Sequence, residues 1–298
     1  MQTTQVLTDF LRAALAQHEP FAKQLQAVAP QQLFGIDQFQ RHLNNPLLSA
    51  DWLQVSLNNQ VLNLEADCLW KMVQRKKLVF IDKQKIHTAL LQGAAVVLEG
   101  LDILDPTINQ LLTDVDKLFP CALSNAEAFF SQKGNEAYTG HRDSDDVLVI
   151  QISGSKHWHV HQPQQRRYFG NTPLSKEQMG PVLAEFDLNP GDVLYVRAGV
   201  PHRCTTPADH SLHISIDLCD RTPSIQQITH VANERYNHAS AAPNVPAAKM
   251  VDHYIELLRG AEFQKQLAAA TEETRNESGK FRRRIGQSSS ITALKRFI

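Results

Sequence analysis

The stretch from Tyr138 to His161 constrains this chain more than any other. It sets His141 and Asp143 two residues apart, follows them with an apolar run from Val147 to Ile152, and turns at Ser153-Gly154-Ser155 into a second extended segment. Side chains alternate faces along a strand, so His141 and Asp143 would project together and can hold one cation between them, while Arg142 points away. About sixty residues on, Pro190-Gly-Asp-Val-Leu-Tyr-Val-Arg-Ala-Gly-Val-Pro-His202 supplies a Gly-Asp turn, an apolar strand and a loop ending in histidine. A His-x-Asp tripeptide alone carries little weight in a chain with 13 histidines. Its value comes from the strand, the glycine turn and the later segment, which has the form of one sheet strand returning beside another.

Ligand type then narrows the metal. Four nitrogen or sulfur ligands would suggest structural zinc, whereas His141, Asp143 and His202 make two imidazoles and one carboxylate. That set occupies three corners of an octahedron and leaves the others open, as in non-haem iron(II) oxygenases.

At 298 residues and 42% hydrophobic composition, the chain can bury a full core in one main domain with appended elements. A net charge of −1 gives no global field to recruit nucleic acid or an acidic membrane surface. The four cysteines (Cys68, Cys121, Cys204, Cys219) are widely spaced without a Cys-x-x-Cys pair, which fits a reducing compartment. The start of the sequence lacks a basic region followed by an apolar core, and no apolar run approaches a membrane span. These features point to a cytoplasmic protein.

Apolar spacing predicts a helix over 5–28, broken or restarted near Pro20, with Leu7, Phe10, Leu11, Ala14 and Leu15 on one face. Val55 to Leu62 reads as a hairpin turning at Asn58-Asn59, and Lys71 to Lys85, rich in lysine, as a solvated rim. Ala94 to Leu98 is a short strand. Asp105-Pro106 opens a helix that buries Ile108, Leu111, Leu112, Val115 and Leu118. Cys121 to Phe130 is a strand leading to the metal segment. A polar insert around Arg166 to Phe169 has the position of a substrate rim, and Asp145-Asp146 reads as a turn. After Asp220, 225–236 and 247–269 read as helices whose apolar faces need a partner, predicting a homodimer, and the basic tail (Lys280 to Arg284, Lys295-Arg296) reads as solvated or interface-forming.

On these residues a resemblance can be stated. Gly191-Asp192, Gly199 and His202 resemble the second cupin motif, and the region from about Gly93 to Asp217 is similar to the JmjC-type cupin oxygenases, most of all their ribosomal-oxygenase-like branch. Leu123-Ser-Asn125, Gln151 to Trp158 and Ser211-Leu-His-Ile-Ser215 carry the likeness, and Lys156, fifteen residues after His141, stands where that family places the cation gripping the distal carboxylate of 2-oxoglutarate. Three positions depart from the pattern: Arg197 stands where a proline is usual, Glu127 where a tyrosine often reaches the cosubstrate, and Asp217 where relatives carry Asn or Ser.

The resemblance implies a mainly β fold with α: a double-stranded β-helix (jelly-roll) core over 91–220, N-terminal α/β elements over 1–90 and C-terminal helices over 221–298. It implies Fe(II), 2-oxoglutarate and dioxygen as cofactor and cosubstrates, His141, Asp143 and His202 as catalytic metal ligands, and Lys156 as anchor of 2-oxoglutarate. Asn125 and Thr139 are candidate hydrogen-bond donors to the same molecule. Strand alternation puts Lys156, Trp158 and Val160 inside and His157, His159 and His161 outside. A buried ammonium demands an anion, for which a dicarboxylate, Glu127 or Asp217 would serve. The implied reaction hydroxylates a C–H bond of a protein or peptide residue; the same chemistry on a free amino acid or small metabolite, or a metal-binding cupin without turnover, are the competing readings.

Overall fold

The computed structural model describes residues 2–58, 60–118, 124–134, 140–163, 174–218, 252 and 255–278. The first helix, α1 (Gln2–Gln17), buries Leu7, Leu11 and Ala14 at the expected spacing. It stops before Pro20 and gives way to the short strand β1 (Phe21–Gln24), in place of the continued helix that the periodicity suggests. Backbone donors of a neighbouring strand decide this: Phe21 to Gln24 pair antiparallel with residues 193–196, and Arg197 N donates to Pro20 O at 2.9 Å. Arg197 thus uses a backbone N–H that proline at this position would lack.

Next in chain order are α2 (Ile36–Leu43), the hairpin β2 (Leu53–Leu57) and β3 (Gln60–Val61), a second hairpin β4 (Leu69–Val73) and β5 (Lys76–Phe80), and α3 (Lys83–Leu91). Then come β6 (Ala95–Leu98), α4 (Leu101–Leu104), α5 (Pro106–Val115), β7 (Ser124–Gln132), β8 (Asp146–Gly154) and β9 (Lys156–His161). The first unit closes with α6 (Lys176–Met179), β10 (Val182–Leu188), β11 (Val193–Val196), β12 (His202–Thr205) and β13 (His210–Leu218). Local chemistry sets several boundaries. Asp105 accepts from Thr107 N (2.8 Å) and Ile108 N (3.2 Å), with Pro106 in the first turn of α5. Gln74 and Arg75, both at positive φ, turn the exposed β4–β5 hairpin that holds the lysine-rich rim.

Two antiparallel sheets make the jelly roll. The larger runs β1-β11-β8-β13-β7-β6-β2-β3 and the smaller β10-β9-β12. Between them Val147, Val149, Leu194 and Val196 of the large sheet meet Trp158, Val160, Phe186 and Leu188 of the small one. On the far side of the large sheet α4 and α5 pack on β7. The apolar set of β13 and β7, Leu212, Ile214, Ile216, Ala126 and Ala128, shares one face and is fully buried. The alternate residues of the same strands therefore face the barrel interior.

Asp192 holds the turn that returns the chain to the site: its buried carboxylate accepts from Gln26 N (2.7 Å) and Asn189 N (2.8 Å). Asp146, read from sequence as part of a turn, is buried at the start of β8 and accepts from Tyr195 Oη and from Ala198 N at 2.9 Å.

Residues 1–118 and 124–219 form one compact unit and 119–123 with 220–298 a second. In the second, the helix Ala261–Ser278 buries Phe263 and Leu267, one turn apart. The expected helix over 225–236, the basic tail, Thr139 and the segment Arg166 to Phe169 lie outside the described residues. None of the described helices is long and apolar enough to cross a membrane.

Gly154 makes the β8–β9 turn possible. Its φ is +64°, and a Cβ there would stand 1.9 Å from the backbone oxygen of His210. Gly154→Ala is expected to cost roughly 2–4 kcal/mol through strain and displacement of β13, seen as a melting temperature lower by several degrees.

Candidate metal site in the barrel

The site begins with two backbone hydrogen bonds. His141 N donates to His202 O (3.0 Å) and His202 N donates to His141 O (2.8 Å), a single antiparallel bridge that sets the two imidazoles 4.5 Å apart between centroids. The sequence suggests a continuous strand through His141 and Asp143. The structure has this one bridge, after which Asp143 O accepts from Gly199 N at 2.9 Å, so the carboxylate is placed by the Gly199 loop. Arg142, between them, is buried.

Asp143 then lies between the rings. Its Oδ1 is 3.5 Å from His141 Nε2 and its Oδ2 is 3.5 Å from His202 Nε2. These gaps are long for hydrogen bonds, while ligands at right angles around an ion about 2.1 Å from each sit about 3 Å apart. One donor atom from each of the three residues lies within 4.8 Å of the other two. His202 Nδ1 faces Val200 O at 3.1 Å, and a carbonyl only accepts, so the proton is on Nδ1 and the Nε2 lone pair points at Asp143. Burial first, and then His141, lowers the His202 pKa to about 4, leaving a neutral imidazole at pH 7. The donor set fits a divalent first-row metal ion with open positions.

Lys156 is inside the barrel, 2% exposed. Its Nζ donates to Ser131 Oγ (2.7 Å) and Thr206 Oγ1 (3.0 Å), and those hydroxyls are 2.7 Å from each other. No carboxylate among the described residues pairs with it, neither Glu127 nor Asp217. Strand β9 alternates as expected, with Lys156, Trp158 and Val160 buried and the three histidines half-buried outside. Val160 is the register partner of His202, and the Trp158 ring is 5.5 Å from the His202 ring, so one strand links the ammonium to the metal ligands. Beside Lys156, His213 stacks on Phe129 at 4.9 Å. Trp158 Nε1 and His213 Nδ1 are buried without a hydrogen-bond partner. Such buried, unpartnered atoms call for a polar ligand or an ordered water.

Glu127 shares the inner face of β7 with Phe129 and Ser131, and Asp217 that of β13 with His213. Burial, then Asp217, Glu99 and Asp143, raises Glu127 to about 8; burial, then Asp143 and Asp145, raises Asp217 to about 7. Near neutrality Glu127 thus carries its proton and Asp217 is partly protonated, which reduces the repulsion that two acids would exert on an anion. Asn125, expected beside the cosubstrate, sits at the exposed end of β7 opposite Asp217, six residues or about 20 Å of strand from Ser131. Sequence reasoning misses Ser131 and Thr206. Ser131 is readable from the period of β7 once its inward face is known, whereas no sequence signal marks Thr206.

Residues 104–228 match the JmjC domain family. Among curated proteins, the chain is 31% identical over 126 residues to the bifunctional lysine-specific demethylase and histidyl-hydroxylase NO66 of Drosophila persimilis, covering 39% of this chain and 18% of that protein. It is 30% identical over 105 residues to ribosomal oxygenase 1 of Gallus gallus, covering 34% and 18%. The chain therefore spans about a fifth of the length of these relatives. The solved structure of Escherichia coli ycfD superposes with a TM-score of 0.57 at 16% identity, over 86% of this chain and 70% of that one. The complex of YcfD, a ribosomal oxygenase, with cobalt and 2-oxoglutarate gives 0.53, again at 16% identity, over 86% and 69%. The likeness establishes the cupin jelly roll.

The raised carboxyls predict a pH effect in chelator-treated protein. A carboxyl whose folded pKa lies above its unfolded one opposes folding when ionised, so stability falls as pH rises from about 4.5 through 8. Glu127→Gln should therefore melt several degrees above wild type at pH 8.5 and level with it near pH 4.5, by calorimetry.

Proposed function

We propose that this chain, whose residues 104–228 are a JmjC-type cupin domain similar to that of ribosomal oxygenases, is an Fe(II)- and 2-oxoglutarate-dependent oxygenase that hydroxylates a residue of a protein or peptide. The observation that carries the reading is the buried Lys156 ammonium, held among the described residues by two hydroxyls and no carboxylate, in the same barrel as His141, Asp143 and His202. An ammonium in such a place costs several kcal/mol unless an anion joins it.

With iron and 2-oxoglutarate bound, the site supplies oxidative decarboxylation of the 2-oxo acid by dioxygen, giving succinate and carbon dioxide and leaving one oxygen atom on the substrate carbon. The protein's share is positioning and exclusion of water. His202 presents a fixed lone pair because Val200 holds its Nδ1 proton, His141 is placed by the backbone bridge, and Asp143 adds the negative charge. Lys156, Ser131 and Thr206 would bind the far carboxylate of the cosubstrate. Trp158 and His213, whose ring nitrogens are buried without partners, would offer them to the cosubstrate. The activities for which the relatives are named, a histidyl-hydroxylase and ribosomal oxygenases, support a protein substrate.

We further infer a cytoplasmic homodimer. Four widely spaced cysteines without a Cys-x-x-Cys pair fit a reducing compartment. The C-terminal helices would supply the dimer contact, and light scattering behind size exclusion should give twice the monomer mass.

Wild-type protein with Fe(II) should convert 2-oxoglutarate to succinate. Asp143→Ala should abolish it, and Lys156→Ala should raise the 2-oxoglutarate KM about 10–100-fold, the loss of one charge-assisted hydrogen-bond set worth about 1.5–3 kcal/mol. Mass spectrometry of proteins from a deletion strain and its parent should find one oxygen atom missing from a single peptide. No turnover and no 2-oxoglutarate binding would return the chain to a metal-binding cupin, and turnover stimulated by a free amino acid to a metabolite oxygenase.

A further inference from the structure

The outer face of the small sheet carries a second constellation that the barrel chemistry does not use. His157 and His159 stand two apart on β9, with rings 4.6 Å apart in an edge arrangement. Antiparallel register sets Asp187 opposite His157 and Glu185 opposite His159 on β10. One donor atom each from His157, His159 and Glu185 lies within 4.8 Å of the other two.

One of the histidines is already oriented for ligation. His157 Nδ1 is 2.7 Å from Asp187 Oδ1, and a carboxylate accepts, so the ring proton is on Nδ1 and Nε2 keeps its lone pair. That is the carboxylate–histidine arrangement which orients imidazoles toward metals. His159 Nε2 is 3.7 Å from Glu185 Oε1, too long for a hydrogen bond, and its Nδ1 is buried without a partner. Its side chain is 17% exposed. A plain row of cross-strand ion pairs would instead bring His159 close to Glu185.

We propose that His157, His159 and Glu185, with Asp187 orienting His157, form a second divalent-metal site on the outer face of the small sheet, suited to Zn2+ completed by water. Two imidazoles and a carboxylate with an open position are a zinc donor set. The ion would clamp β10 to β9, the strand whose inward residues include Lys156, and so hold that ammonium in place from behind. The inference stands whether or not the barrel turns over a substrate.

The test uses full-length, metal-stripped protein titrated with ZnCl2. Wild type should bind two equivalents, and His141→Ala/Asp143→Ala one. In that background His159→Ala should abolish saturable binding and Asp187→Ala should weaken it about 10–100-fold. Zinc should raise the melting temperature of the double variant and leave that of the added His159→Ala variant unchanged. These are half-exposed residues, so unchanged zinc-free melting would show the variants folded. Absence of saturable zinc binding in the double variant, or equal binding with and without His159, would overturn the proposal.

Discussion

Two reciprocal backbone hydrogen bonds between His141 and His202 are the constraint on which the site depends. They join residues 61 positions apart by main-chain groups alone, so the two imidazoles meet without any side-chain adjustment. Everything else around the triad serves that contact. Gly199 fixes Asp143 through its carbonyl, Val200 fixes the proton of His202, and Asp192 pins the turn before β11 to the segment after β1. Loop closure over such a span has an entropic cost, which the paired strands of the jelly roll meet collectively.

The large sheet shows an inversion that places the polar groups. β7 and β13 each alternate polar with apolar, a pattern that in an antiparallel sheet commonly turns its polar side to water. Here α4 and α5 pack on β7 from one side, the apolar set of both strands is buried on one face, and Glu127, Ser131, His213 and Asp217 are turned into the barrel. The consequences are chemical. Lys156 finds hydroxyls, His213 is held neutral by burial, and two carboxyls are pushed up to about 8 and about 7. A barrel filled only with residues such as Val147 and Leu194 would be a stable core with no polar groups inside.

Much of this is legible in the sequence for specific reasons. Asp105-Pro106 is a local signal, and the cap forms as its residues imply. The alternation of β9 is likewise local and survives intact. Residues 21–24 read as helix from sequence because apolar periodicity over a short span cannot register a strand edge far along the chain that needs pairing. The strand through Asp143 shrinks to one bridge because a loop glycine, not a neighbouring strand, takes the next hydrogen bond. Thr206 is invisible because its place beside Lys156 follows from the pairing of β12 with β9, a register that no local signal gives.

The sequence by itself determined which residue types were available at which spacing: two histidines and an aspartate for a metal, an inward lysine, a glycine at a turn that rejects a Cβ. Those stem from chain-local rules of period, turn and ligand chemistry. Only the tertiary structure decided which faces of β7 and β13 are inside, that Lys156 rests on hydroxyls with no carboxylate beside it among the described residues, and that His157 and His159 stand against acids on the next strand. Such facts depend on register and on what covers each sheet, and both are set by contacts between residues far apart in the chain.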